Sequence, residues 1–254
     1  LIQVLDKKNV DVFCRRLGYS CDTLIIEPEK ESGQLIYMLQ LCAPGADRML
    51  ASSNKMHALT HGELYGVMGS ASDVPLNANE VIQSFNLHIK GEKDLISHEI
   101  DGNCAAAFID GNTGVVKIIN DPQGFRRVFH YKDENLLVAS SRLPLITKLI
   151  HRTWEIDYTG TRLFLAGREP RWPCSSIKNI KTLPPVHELT FADKSMSFRS
   201  YWKPVVPHVE MTRAQVLNDV LNDFRKSIAR GLGNSNPVVT LSGGYDSTCL
   251  AKLS

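Results

Sequence analysis

The sequence predicts an α+β layered domain followed by the start of an α/β parallel-sheet domain, on three observations. Short β-type runs punctuated by turns dominate from Leu1 to about Thr147. Pro204 and Pro207 then interrupt the chain. Beyond them come one long amphipathic helix, the run VVTL, and a glycine turn leading into a second helix. The limits that follow are 1–203 for the first domain, 204–211 for a linker and 212–254 for the beginning of the second.

Within the first domain DTLIIEP, QLIYMLQLCA, LYGVMGS, GNCAAAFID, GVVKIIND, RVFHY and NLLVAS read as strands. Asp110-Gly111-Asn112-Thr113-Gly114 separates two of them as a hairpin loop does. ANEVIQSFNLHIK, from Ala78, carries Val81, Ile82, Phe85 and Ile89 at helical spacing. TGTRLFLAG reads as a short helix, and the segment after Pro184-Pro185 as a strand. Phe125, Phe129 and Tyr131 read as core packing, Ser52-Ser53 and Ser140-Ser141 as strand-end or loop hydroxyls.

In the second domain Thr212 and Gln215 have capping-box spacing, and Val216, Val220, Phe224 and Ile228 repeat along one helical face. Gly231 reads as the stop. VVTL has the length and bounds of a buried parallel strand, with a helix expected from near Ser247.

Composition narrows the function classes. The 254 residues are 43% hydrophobic and 22% charged, ordinary for a globular protein with a sizeable core. A net charge of +2, with no long basic run and the Arg126-Arg127 pair too short to count, excludes a nucleic-acid footprint. No apolar run approaches the roughly 20 residues a bilayer span needs, which excludes a membrane helix. Cys14, Cys21, Cys42, Cys104, Cys174 and Cys249 lack metal-like spacing and read as reduced core residues. With no signal peptide, this predicts a cytoplasmic protein. The chain opens on Leu1 rather than methionine and stops a few residues into its last helix, so a longer native polypeptide is expected.

The chemistry concentrates in Ser242-Gly243-Gly244-Tyr245-Asp246-Ser247-Thr248, with Leu241 ending the run before it. Two glycines allow a tight turn that brings backbone N–H groups against an anion. A following helix adds the positive end of its dipole. Ser242, Ser247 and Thr248 supply hydroxyl donors. Asp246 repels a bare phosphate and so implies a bridging divalent cation, Mg²⁺. No lysine follows the glycines, so this is not the Walker loop. The bland alternative is a strand-to-helix turn in which Asp246 and Ser247 cap the helix.

SGGYDS resembles the SGGxDS pyrophosphate loop of the N-type ATP pyrophosphatases. Upstream, Gly62-Glu63-Leu64-Tyr65 resembles the NGEIYN strand of the asparagine synthetase family, and Glu80-Val81-Ile82 its SDTEVI helix start. GNCAAAFID…NDPQGFRRVFHY…VASS and the segment through LPPVHELTF to YW resemble further stretches of that family in order, from Gly62 to the chain end. The resemblance implies a glutaminase-like domain of the N-terminal-nucleophile type, then the start of an ATP pyrophosphatase domain. It places ATP and pyrophosphate at Leu241, Ser242, Gly243, Gly244, Tyr245, Asp246 and Ser247, with Mg²⁺ on Asp246.

The departures from the family carry equal weight. Its glutaminases begin with a cysteine whose own α-amine acts as base, and Leu1 stands here. His61, ahead of Gly62, replaces the oxyanion-holding asparagine, and Ala78 replaces the aspartate that grips glutamine's ammonium. The glutaminase site therefore reads as degenerate. What remains resembles the β-lactam synthetases and lasso peptide cyclases, which use an amine already present in the substrate. The expectation is an ATP-dependent, AMP- and pyrophosphate-forming amide-bond ligase, in particular a lasso-type macrolactam cyclase. Its substrate would be a small molecule or peptide with carboxylate and amine, and a precursor-peptide-processing protein its partner. The alternatives are a glutamine-hydrolysing asparagine synthetase and a truncated, non-catalytic partner-binding module.

Overall fold

The structure, a computed structural model, describes residues 20–26, 36–42, 50–67, 70–71, 75–92, 100–134, 136–150, 152–167, 172–202, 210–232 and 238–253. Cys14, Pro204, Pro207 and most of the expected linker lie outside them. The chain divides into two compact units, Leu1–Ala71 with Pro75–Lys203, and Ser72–Val74 with Pro204–Ser254.

In the first unit the strands are β1 (Ser20–Ile26), β2 (Ile36–Cys42), β3 (Leu50–Ser53), β4 (Met56–Val67), β5 (Ser70–Ala71) and β6 (Ile100–Asp110). They continue with β7 (Val116–Asn120), β8 (Phe129–Lys132), β9 (Leu137–Ser140), β10 (Ile180–Thr182), β11 (His187–Ala192) and β12 (Ser195–Ser200). The helices are α1 (Ala78–Ile89), α2 (Leu143–Leu149) and α3 (Tyr158–Leu165). A seven-stranded sheet runs β12-β11-β7-β6-β4-β3 with β5 on β4, beside a three-stranded sheet β10-β8-β9 and the β1-β2 pair.

Strand β6 sits at the middle of the large sheet and is buried on both faces. Cys104, Ala106 and Phe108 point into one core, while Ala105 and Ile109 point into another. Alternation along a strand sends neighbours to opposite faces, so a two-sided core needs an unbroken apolar run, and CAAAFI supplies it. Helix α1 covers the first face with Val81, Ile82, Phe85 and Ile89, each 3% exposed or less, and Phe85 stacks on Phe108 with centroids 4.4 Å apart. These are the four residues whose spacing predicts the helix. Its start is a capping box: the Asn77 side chain accepts from the Asn79 and Glu80 amides at 3.0 and 3.1 Å, and the Asn77 amide donates to Glu80 Oε2 at 2.8 Å.

At its far end α1 is tied to the sheet by charge. His88, fully buried, forms an ion pair with the Glu188 carboxylate of β11. Burial works against an ionised Glu188, but the His88 hydrogen bond and charge, then Lys117 and Arg199, hold its pKa below the usual carboxylate value. Lys117 also donates to the His88 carbonyl at 2.5 Å. On the opposite face lie Val128, Leu183 and Leu189, with Ile36 of β2 packed against them. The three-stranded sheet has its own small core of Tyr131, Ile146 and Ile180. Phe125, expected in the core, is 70% exposed instead; it follows the Asp121 turn that directs it outward.

The predicted 110–114 hairpin joins β6 to β7, with Asp110 accepting from the Asn112 amide at 2.9 Å and the Thr113 hydroxyl at 2.8 Å. Strands β3, β10 and β12 and helix α2 have no counterpart in the sequence reading. Two of the missed strands hang on two-residue turns, Asn54-Lys55 and Asp193-Lys194, all four residues with positive φ. Those turns supply the twist an antiparallel hairpin favours.

The second unit holds α4 (Arg213–Leu232) and α5 (Tyr245–Leu253). The Thr212–Gln215 box caps α4: the Thr212 amide donates to Gln215 Oε1 at 2.8 Å and the Gln215 amide to Thr212 Oγ1 at 3.3 Å. The helix runs to Leu232, one residue past the Gly231 expected to stop it. The expected parallel sheet is absent among the described residues, where every strand pair is antiparallel. Residues 238–241 form no strand, and Val238 and Leu241 are 90% and 66% exposed. A strand exists only against a partner strand, and none is described in this unit. No helix of the described residues is long and apolar enough to cross a membrane.

One buried group makes the fold sensitive to acid. His130, at the centre of the three-stranded sheet, is 2% exposed, and neither ring nitrogen has a hydrogen-bond partner among the described residues. Burial, then the charge of Lys181, lowers its pKa from 6.5 to about 4. The unfolded chain takes up this proton at a higher pH than the folded one. Stability is therefore full above pH 6.5 and falls as pH drops towards about 4, by roughly 3 kcal/mol. Urea unfolding across that window will show the slope in the native protein and lose most of it in His130→Leu.

Candidate functional site

Two places carry the residues that the sequence singles out, one in each unit. The first lies midway along the β4–β6 ladder. His61 lies on β4 opposite Ala105, and Gly62 lies opposite Cys104. Gly62 has φ +97°, and a Cβ there would meet the Asn103 carbonyl at 2.0 Å and Arg126 Nε at 2.8 Å, so only glycine fits. A register shift follows between Leu64 and Gly66, re-aiming the strand just beyond the site.

Arg126 is delivered by the turn after β7. The fully buried Asp121 carboxylate accepts from the Gln123, Phe125 and Arg126 amides at 3.0, 3.1 and 3.0 Å, and that cradle fixes the turn. Arg126 Nε then reaches the Asn103 carbonyl at 3.4 Å. His61 keeps more than a third of its surface in solvent, yet packing around it, then the charges of Arg126 and Arg142, lower its pKa from 6.5. Arg142, which the sequence reading missed, follows β9, its amide donating to Ser140 Oγ at 3.0 Å. Ala78 is the first residue of α1, behind the Asn77 cap.

No thiol here is built for nucleophilic attack. Cys104 is fully buried, and burial, reinforced by Asp121 and opposed by Arg126, pushes its pKa up to about 12. Tyr201, of the segment that resembles the family's closing YW, is buried next to it and donates to the Asn120 carbonyl. Burial, then Cys104 and Asp121, raises its pKa well above the usual phenol value. Both groups are held in their neutral forms and serve packing.

The second place is the turn before α5. Gly243 has φ +81° with nothing within 4 Å of where a Cβ would sit. The helix starts at Tyr245, two residues earlier than expected, so Asp246 and Ser247 lie in its first turn. Ser242 and Ser247 hydroxyls are 3.1 Å apart, the Ser242 amide donates to Ser247 Oγ at 3.2 Å, and the Gly244 amide to Ser242 Oγ at 3.3 Å. Thr248 Oγ1 donates to the Gly244 carbonyl at 2.8 Å rather than outward. Leu241, Tyr245 and Asp246 are exposed, Tyr245 at 96%. First-turn amides have no intrahelical acceptor, which leaves a donor set suited to an anion.

That donor set fits a magnesium-bound polyphosphate. The first-turn amides suit phosphate oxygens, and the lone carboxylate of Asp246 suits a hard cation that takes its other ligands from phosphate and water. No group of three or more His, Cys, Asp or Glu residues that could hold a metal occurs among the described residues, so Asp246 alone would contribute.

No family model matches this chain, and no curated protein matches it. Among solved structures it is similar to the glutamine phosphoribosylpyrophosphate amidotransferase from B. subtilis complexed with ADP and GMP, at 10% identity and a TM-score of 0.35. The match covers 76% of this chain, which spans 45% of that structure's length. A likeness of that size carries nothing about chemistry, and both places stand on their own residues.

At about pH 8 a thiol whose pKa is pushed up to about 12 is ionised only to ~10⁻⁴. Alkylation of the native protein followed by mass spectrometry will therefore modify the exposed Cys249 rapidly and leave Cys104 intact until denaturant is added. Modification of Cys104 at a comparable rate would mean that it is an accessible thiolate.

Proposed function

We propose that this chain belongs to an ATP-dependent amide-bond ligase that adenylates a substrate carboxylate and joins it to an amine without using glutamine. A lasso-type macrolactam cyclase is the specific form favoured. The observation that carries this reading is the Ser242–Ser247 turn: a glycine in the left-handed region, two facing hydroxyls and a carboxylate, at the start of α5. Ser242, Gly243, Gly244, Tyr245 and Ser247 would hold the β- and γ-phosphates of Mg·ATP, with Leu241 leading into the turn and Asp246 on the cation. In the reaction the substrate carboxylate oxygen bonds to the α-phosphorus as pyrophosphate leaves. The amine nitrogen then bonds to the acyl carbon, losing a proton as AMP departs. Catalysis of this kind rests on positioning and on stabilising developing charge.

The first unit supports the absence of glutamine use. Ala78 stands where a carboxylate would be needed to grip an ammonium, and Cys104 is a buried neutral thiol. A substrate bearing both carboxylate and amine would then supply its own nitrogen.

Pyrophosphate–ATP exchange by the full native protein, with candidate carboxylate substrates, tests the reading. Asp246→Asn is expected to lower exchange on the order of 100-fold or more, and glutamine to leave the rate unchanged. Glutamate release in step with turnover would overturn it in favour of a glutamine-dependent synthetase.

A further inference from the structure

We propose that His61, Arg126 and Arg142 form a binding site for an oxyanion, a carboxylate or a phosphate group, on the first unit. Every contributing group lies in that unit, so the inference does not rest on the ligase reading.

Three separate segments converge to make the site. His61 comes from β4. Arg126 precedes β8 and Arg142 follows β9, and the pairing of Phe129 with Ser140 puts the start of β8 and the end of β9 side by side. Both arginines thus leave the same end of one hairpin. The place for Arg126 is kept open by Gly62, since a Cβ would fall 2.8 Å from its Nε. Burial first, and then the charges of Arg126 and Arg142, lower the pKa of His61, in keeping with that placement.

Among the described residues no carboxylate pairs with Arg126 or Arg142. Asp121, whose cradle holds the Arg126 turn, spends both oxygens on three backbone amides and is fully buried. Among the described residues the Arg126 guanidinium makes one hydrogen bond, to a neutral carbonyl through Nε, which leaves its two terminal nitrogens for an external acceptor. Two guanidiniums beside an imidazole, in partial solvent, match the fork geometry of carboxylate or phosphate oxygens. The exposed Phe125 beside Arg126 offers an apolar surface to whatever carries the anion.

His61 is a built-in reporter. The two arginines disfavour its protonation, whereas a bound oxyanion favours it, so ligand binding raises its pKa. The native protein is titrated by NMR of the histidine ring protons, the His61 signal being identified with His61→Gln. Phosphate, acetate and chloride are compared at matched ionic strength. A saturable rise with phosphate or acetate is expected, weakened about tenfold or more in R126Q/R142Q. Tighter binding of phosphate assigns a phosphate-bearing ligand, tighter binding of acetate a carboxylate-bearing one. A rise that does not saturate, or that chloride reproduces, is screening alone and overturns the site.

Discussion

The first unit depends on β6 being buried on both faces. A strand in that position cannot carry a polar residue on either side without leaving it unpaired in an apolar layer, at a cost of about 1–3 kcal/mol. The chain meets this with small and apolar residues from Cys104 to Ile109. Both ends of the run then become the places where polar groups reappear: Asn103 at the site edge and Asp110 in the hairpin turn. Helix α1 is held against one face by apolar contact and, at its end, by the buried His88–Glu188 pair. Breaking such a pair by removing one partner leaves a buried charge behind, so it fixes register as much as it adds stability.

Much of this was legible from the residues. The spacing of Val81, Ile82, Phe85 and Ile89 gave the buried face of α1, and the box formed by Thr212 and Gln215 gave the start of α4. The 110–114 loop was read correctly because its Asp, Asn and Gly residues are turn formers on physical grounds. The hairpins at Asn54-Lys55 and Asp193-Lys194 escaped notice because lysine occupies a left-handed position that glycine signals more plainly. The VVTL run misled because β-branched composition describes willingness to pair, and pairing needs a neighbour. Arg142 could not be found at all: it is brought level with the segment carrying Arg126 by the pairing of β8 with β9, which no local pattern encodes.

The two sites differ in how their polar groups are occupied. In the turn before α5 the hydroxyls of Ser242, Ser247 and Thr248 are engaged with one another and with the local backbone. That arrangement holds the loop shape while the first-turn amides stay open, so shape and donor capacity come from different atoms. Around His61 the reverse holds. The backbone is fixed by the Asp121 cradle and the Gly62 conformation, and the charged side-chain ends are what remain uncommitted. Sequence motifs describe the first kind of site well, since its parts are contiguous. The second kind is assembled from three distant segments.

The two lysine-bearing turns sit at the outer corners of the large sheet, since β3 and β12 are its edge strands. A lysine in the left-handed region costs roughly 1 kcal/mol that glycine would avoid. At an edge, however, it sets a charge where a strand from another chain would have to align, and edges guarded by lysine resist such pairing. With β3 only four residues long and Arg199 on β12, both rims are poor templates. The sheet thus gives up a little local ease at its turns and gains protection against growing, strand by strand, into an aggregate.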